Sequence, residues 1–311
     1  MRKQKGTFLS AYNGTVIHYV VYEPIGEIKA ILQLVHGMKE YIERYELLGE
    51  FFAKRGILVC GHDQLGHGIT GRENGELGFF AQKQGHRYLI EDVHALRMLV
   101  QEQYGNLPIF LFGHSMGSFI TRVYLSKYAD GLAGCILSGT SGRMKLSVTG
   151  IRIADTICKT KGVHHRGKFI DHMAFGAYNV GFEGDTSYEW LSRDSKICES
   201  FLVDELCNYQ FTSSAFRDLF TLLTLCNQKK WYESFSTKLP LYLMSGTHDP
   251  VGLKGIGVKQ VYEQLLVTGH RTTMLQLYPE ARHELTNEIN KEEVYEDLYN
   301  WVSTCMMEVS L

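Results

Sequence analysis

The stretch IFLFGHSMGSFITRVYLSKY, Ile109 to Tyr128, constrains this chain more than any other. Its first four residues are an unbroken apolar run, the pattern of a buried strand. From Phe119 onward apolar residues recur at helical spacing (Phe119, Ile120, Val123, Tyr124, Tyr128), which leaves Arg122 and Lys127 for solvent. Ser115 falls on the turn between the two patterns, in a G-x-S-x-G sequence with Gly113 and Gly117. A serine on so sharp a turn takes strained backbone angles, and the flanking positions must be small for strand and helix to approach each other. The turn projects Oγ beyond the sheet edge and aims the amide of Met116 at the same point. The helix N-terminus adds partial positive charge there, where an oxyanion would form.

A serine hydroxyl is a weak nucleophile, so it needs a base and a group to orient that base. Two later strand-like segments supply them. LYLMSG (241–246) runs into GTHDP, which carries Asp249, and TMLQLY (273–278) runs into PEARHE, which carries His283. Both loops fall at the carboxyl ends of strands, where open α/β sheets collect their active sites, and the chain order is Ser, Asp, His. Asp249 could instead be a turn residue before Pro250, and His283, one of 13 histidines, a surface partner of Glu284. Their positions favour the catalytic reading.

The rest of the chain alternates in the same way, which predicts an α/β fold with a mostly parallel sheet covered by helices. AILQLVH (30–36), ILVCG (57–61) and CILSG (135–139) read as strands. Residues 44–55, 86–103, 257–266 and 291–306 read as helices, and a hairpin is expected around Asn13-Gly14. The rhythm stops between 142 and 238, where the composition turns to Phe, Tyr, Met and His. This predicts a core of residues 1–141 and 239–311 with a mainly helical lid of residues 142–238 inserted over the sheet.

The composition narrows the partners. A formal net charge of -2 without a long basic run argues against nucleic acid. No apolar stretch approaches the length of a membrane span, and the N-terminus lacks the apolar region of a signal peptide. Seven scattered cysteines without CxxC or ligand spacing read as free thiols, which predicts a cytoplasmic location. His62, Asp63 and His67 sit in a glycine-rich loop better explained by tight turns than by a metal, and no cofactor is implied. His164-His165 is expected to be a solvated part of the lid. Glu40 and Arg44, four residues apart, are expected to pair along a helix.

The chain resembles the α/β-hydrolase superfamily, in particular its monoacylglycerol lipase and lysophospholipase-like branch, the serine aminopeptidase S33 group. The likeness is carried by LVHGMKEYIERYELL (34–48), HDQLGHG (62–68), FGHSMGS (112–118), SGTHDPVG (245–252) and YPEARHELTNE (278–288), and it extends to FEGDTSYEWLSRD (182–194) in the lid. It implies that His36-Gly37-Met38 is an oxyanion loop, with the amides of Met38 and Met116 holding the intermediate's oxygen. The sequence departs from the branch at Tyr41, where a histidine often follows the glutamate, and at Thr70, near the usual serine.

Together these features predict a serine hydrolase that cleaves carboxylic esters of lipid-like alcohols, a monoacylglycerol or a lysophospholipid with an apolar acyl chain, through an acyl-enzyme. Ser115 is the nucleophile, His283 the base and Asp249 its orienter. The apolar lid offers an acyl pocket and a surface for peripheral membrane contact. An aminopeptidase would need lid carboxylates such as Glu183, Asp185, Glu189 and Asp194 to hold an ammonium, and a run of acids is more often a solvated face. A non-catalytic ligand-binding protein of the same fold would have no need of Asp249 and His283 together. Serine at the turn disfavours epoxide and haloalkane hydrolysis.

Overall fold

The computed structural model describes residues 1–143 and 147–309. In chain order it comprises β1 (Arg2–Leu9), β2 (Val16–Glu23), β3 (Ala30–Val35), α1 (Glu46–Ala53), β4 (Ile57–His62), α2 (Gly68–Glu73), α3 (Gly85–Tyr104), β5 (Ile109–His114), α4 (Met116–Tyr128) and β6 (Leu132–Ser138). Then follow α5 (Ser147–Lys161), α6 (Lys168–Phe175), α7 (Ser195–Val203), α8 (Ser213–Leu225), β7 (Leu241–Gly246), α9 (Ile256–Val267), β8 (Thr273–Tyr278) and α10 (Lys291–Val309).

The strands form one sheet in the order β1-β2-β4-β3-β5-β6-β7-β8. β1 and β2 pair antiparallel through the turn at Asn13 and Gly14, both at positive φ, as the hairpin reading expects. β2 runs antiparallel to β4, and every later pairing is parallel. β3, β4, β5 and β7 are buried at every residue, which is why they read as continuous apolar runs. One face of the sheet packs on α1 and α10 through Leu48, Phe52, Leu298 and Trp301. The other packs on α3 and α4, where Phe216, Leu219 and Leu222 of α8 join Phe119, Ile120 and Tyr124.

Between β6 and β7 no described residue belongs to the sheet, and α5 to α8 occupy this segment. Residues 144–146, within the predicted lid, lie outside the described residues.

Three local expectations are corrected. Arg122 does not face solvent: it is fully buried and stacks on Trp231 at 4.4 Å. Its guanidinium donates to Ser141 O (2.9 Å), Asn227 Oδ1 (3.1 Å) and Cys226 O. Helical spacing marks which face a residue occupies, and here a second layer of chain covers the polar face as well. Lys127 does remain exposed and pairs with Glu91 at 2.7 Å. Glu40 lies outside any helix, because the chain first becomes helical at Ile42, so it cannot make an i,i+4 pair with Arg44. Arg44 instead reaches Glu284 at 2.6 Å. The glycine-rich loop after β4 contains the short helix α2. Asp63 holds it by accepting the amides of Ile42 (2.8 Å) and Ile69 (2.7 Å).

Candidate active site

Ser115 sits between β5 and α4 at φ 53°, ψ −122°, a left-handed conformation that L-residues avoid. The two glycines explain how the turn is held there. A Cβ on Gly117 would lie 2.0 Å from Val35 O and 2.5 Å from His36 O, so α4 touches the end of β3 backbone to backbone. A Cβ on Gly113 would lie 2.4 Å from Thr121 Oγ1 and 2.6 Å from Gly117 O. The amide of Ser115 donates to Ser138 O (2.9 Å) on the neighbouring strand. Met116 is the first residue of α4, where helix amides have no partner within the helix.

Asp249 and His283 arrive from the ends of β7 and β8. Gly246 permits their approach: a Cβ there would lie 1.9 Å from Ala281 O. Asp249 is fully buried, and its Oδ1 accepts from Val251 N (2.8 Å) and from His283 Nδ1 (2.9 Å), while Ser245 Oγ donates to Oδ2 (3.2 Å). This places the His283 proton on Nδ1 and frees Nε2 as an acceptor. Nε2 is buried and has no hydrogen-bond partner, so the Ser115–His283 hydrogen bond is not formed in this rotamer state. Such bonds commonly tighten only when substrate is present. Burial alone would lower the His283 pKa. The charge and hydrogen bond of Asp249, helped by Glu284 and Glu40, outweigh it and raise the value above 6.5.

Ser115, Met116, Met38 and His283 all line one cavity of about 480 Å³. Its far wall is apolar, built from Phe119 and Val251 of the core and Phe175, Leu219, Phe220 and Leu223 of the segment between β6 and β7. Trp190 of that segment packs its ring, tilted by 39°, against His283 at 5.1 Å between centroids, and the carbonyls of Trp190 and Leu191 accept the amides of His283 (3.3 Å) and Glu284 (2.7 Å). His283 is therefore held from this segment as well as from the sheet.

Several residues named from the sequence take contacts that the sequence did not indicate. His36 receives the Gln64 amide on Nε2 (3.1 Å) and donates Nδ1–H to Gly37 O (2.8 Å), with burial pushing its pKa down to about 4. A neutral imidazole thus braces the 36–38 turn. Glu40 accepts the Gly37 amide (3.1 Å) and lies 3.5 Å from His114 Nε2. Burial and the neighbouring Glu284 push the Glu40 pKa up to about 7, against the pull of Arg44. Tyr41, the departure from the usual histidine, donates its hydroxyl to Asp204 (2.9 Å), and Thr70 Oγ1 accepts the His18 amide (2.9 Å). Neither touches Ser115, Asp249 or His283. Periodicity could not reveal Glu40 or His36, because their roles depend on a turn that only the packed β3 and β5 define.

The family model for "Serine aminopeptidase, S33" matches residues 26–290. The chain belongs to that family. It is a serine hydrolase of the α/β-hydrolase superfamily, in the monoacylglycerol-lipase-like branch. A monoacylglycerol lipase from Mycolicibacterium smegmatis is 24% identical over 93% of both chains. The phospholipase YtpA of Bacillus subtilis is 24% identical over 86% of this chain and 92% of its own. Among solved structures, a thermostable carboxyl esterase from Bacillus coagulans in complex with glycerol superposes with a TM-score of 0.92 at 31% identity, covering 98% of this S33 hydrolase and 99% of the esterase.

Proposed function

We propose that this S33 hydrolase cleaves carboxylic esters of lipid-like alcohols through an acyl-enzyme on Ser115. The observation that carries the reading is the buried Asp249–His283 pair opening, with Ser115, onto one largely apolar cavity. In this mechanism Ser115 Oγ attacks the ester carbonyl while His283 Nε2 takes its proton. The carbonyl oxygen, now negative, receives the amides of Met38 and Met116; losing one such donor costs about 2.7–4 kcal/mol of transition-state stabilisation. The tetrahedral intermediate expels the alkoxide, which takes the proton from His283. Water, activated by the same imidazole, then releases the acid. Asp249 keeps the imidazole in the productive tautomer and stabilises its cation.

Residues 142–238 act in this reading as a lid whose apolar underside receives the acyl chain. Its outer face carries Phe169 and Val180, 68% and 75% exposed, which suit contact with a lipid surface. Seven buried free cysteines suit a reducing, cytoplasmic setting. Among the described residues no helix is long and apolar enough to cross a membrane.

Peptide cleavage is the weaker reading. Glu189 is engaged by Thr186 (2.8 Å) and Arg282 (3.5 Å), and Asp194 caps α7 by accepting the Lys196 amide (3.1 Å). Neither lines the cavity, nor do Glu183 and Asp185. The test is labelling by a fluorophosphonate together with hydrolysis of p-nitrophenyl esters and of an aminoacyl nitroanilide of equal size. Labelling and ester turnover, both lost in Ser115→Ala, support the reading; faster nitroanilide release, or a Ser115→Ala variant as active as the wild type, overturns it.

A further inference from the structure

Past Lys39, Asp171, Tyr188 and Gln210 the cavity adjoins a wider polar groove, of about 830 Å³, that shares those four residues as walls. Among the described residues Lys39 is the one cation lining both spaces; Arg72 and Arg166 line the groove alone, and Lys168 the cavity alone. Arg166 is already engaged, donating to Leu77 O (2.6 Å) and pairing with Glu76 (3.2 Å). Lys39 is not. It directly follows Met38 and holds a left-handed φ of 58°, a conformation that persists in a side-chain-bearing residue only when its surroundings impose it.

The Lys39 side chain is only 11% exposed, and its ammonium stands 3.8 Å from Asp171 Oδ1, beyond hydrogen-bond reach. Asp171 Oδ1 is itself buried without a hydrogen-bond partner. Burial lowers the lysine's pKa, with Asp171 opposing the shift. An ammonium has three protons to place and a carboxylate oxygen needs a donor, so this loose pair, with side chains 11% and 28% exposed, has bonding capacity left for a ligand that serves both. A phosphate brings acceptors for the ammonium. A hydroxyl beside it brings a donor for the carboxylate. The groove lining counts three cations, Lys39, Arg72 and Arg166, against two carboxylates, Glu76 and Asp171, so it favours an anion.

We propose that Lys39, with Asp171 beside it, is the specificity-determining subsite for glycerol esters whose alcohol portion carries a phosphate. This rests on the ester-hydrolase reading of Ser115 and narrows its substrate. The acyl chain lies along the apolar wall, the ester carbonyl meets Ser115, and the phosphorylated alcohol faces the groove.

The test compares kcat/KM for a monoacylglycerol and a monoacylglycerol phosphate of the same chain length, both below aggregation, on the wild type, Lys39→Gln and Lys39→Arg. The wild type is expected to prefer the phosphate ester by about tenfold or more, Lys39→Gln to lose that ratio, and Lys39→Arg to keep most of it. A ratio unmoved by Lys39→Gln, or a wild-type preference for the neutral ester, overturns the subsite and leaves the ester-hydrolase reading standing. If fluorophosphonate labels nothing and no ester is cleaved, that reading fails by itself. Calorimetry with glycerol 3-phosphate, glycerol and inorganic phosphate then decides the subsite. Binding of glycerol 3-phosphate that weakens about tenfold in Lys39→Gln supports it. No binding, or equal binding of inorganic phosphate, overturns it as a head-group site.

Discussion

The turn at Ser115 and the helix α6 above it line the same cavity but are built on opposite terms. In β5 every residue is buried, and Gly113 and Gly117 stand against backbone atoms that leave no room for a methyl group. In α6 only Ile170 is fully buried, while Lys168, Asp171, His172, Met173, Ala174 and Phe175 line the cavity and are half-buried or exposed. A close-packed floor fixes geometry to a fraction of an ångström, because cores resist even one added methylene. A loosely packed cover fixes shape and polarity and leaves them tunable. In the proposed mechanism the chemistry belongs to the floor and the choice of substrate to the cover.

The largest test of that division is Asp249→Asn, which keeps the side chain's shape and gives His283 Nδ1 an amide to meet. The exchange should cost about 10⁴-fold in kcat with little change in KM, since the wrong tautomer is favoured. It should also move the acidic limb of the pH profile. The imidazole must be neutral to accept the Ser115 proton, and its pKa is raised mainly by Asp249 against burial. The wild-type limb should thus lie above pH 6.5 and fall in the variant. A modest loss shared equally by kcat and KM would mean the floor is not where the chemistry is decided.

Gly117→Ala comes next. Its Cβ would sit 2.0 Å from Val35 O, with backbone on both sides and nothing flexible to yield. A destabilisation of about 3 kcal/mol or more is expected, read as a drop in Tm and in the midpoint of denaturant unfolding. Phe175→Ala on the cover should behave in the opposite way. Fluorophosphonate labelling should persist, while the ratio of long-chain to short-chain ester hydrolysis shifts by about tenfold or more, since one methylene alone commands about 1–3 kcal/mol and this exchange removes a phenyl ring. If Phe175→Ala abolished labelling, floor and cover would not be separable.

The smallest effect is a slope. Glu40 holds its proton up to about pH 7 in the fold and gives it up near 4.5 when unfolded, so the native state binds more protons across that interval and loses stability as pH rises through it. His283, also raised, contributes in the same direction: its share is complete below 6.5 and is lost as pH passes its native value. Glu40→Gln keeps an oxygen for the Gly37 amide and should flatten the fall of Tm between about pH 4.5 and 7, while the His283 share shrinks only in part, because Asp249 is its main source. An unchanged slope would exclude Glu40 as its source.

Most inner strands were legible because a strand buried on both faces has to be apolar throughout: β7 falls on its expected residues, and β3 and β4 differ by one residue at the end. The edge strand β8, half-exposed, also falls on its expected residues. The hairpin was legible in Asn13-Gly14, whose backbone tolerates positive φ. Arg122 was misread, since a helical wheel cannot show that Trp231 and the 140–141 segment close over its polar face. Glu40 was misread for a related reason. Four-residue spacing implies a pair only where the chain is already helical, and here the turn that follows β3 keeps Glu40 beside Gly37 and His114.

By itself the sequence determined what is local: the alternation of strands and helices, the strained serine between two glycines, and the order in which a carboxylate and an imidazole follow it. Such features depend on backbone preferences and on burial period, which neighbouring residues carry. The tertiary structure alone decided that Trp190 would brace His283, that Arg44 would leave Glu40 for Glu284, and that Lys39 would stand under-bonded beside Asp171. Those pairings join segments far apart along the chain, and which group meets which depends on how the turns after β3 and β8 and the segment between β6 and β7 pack together.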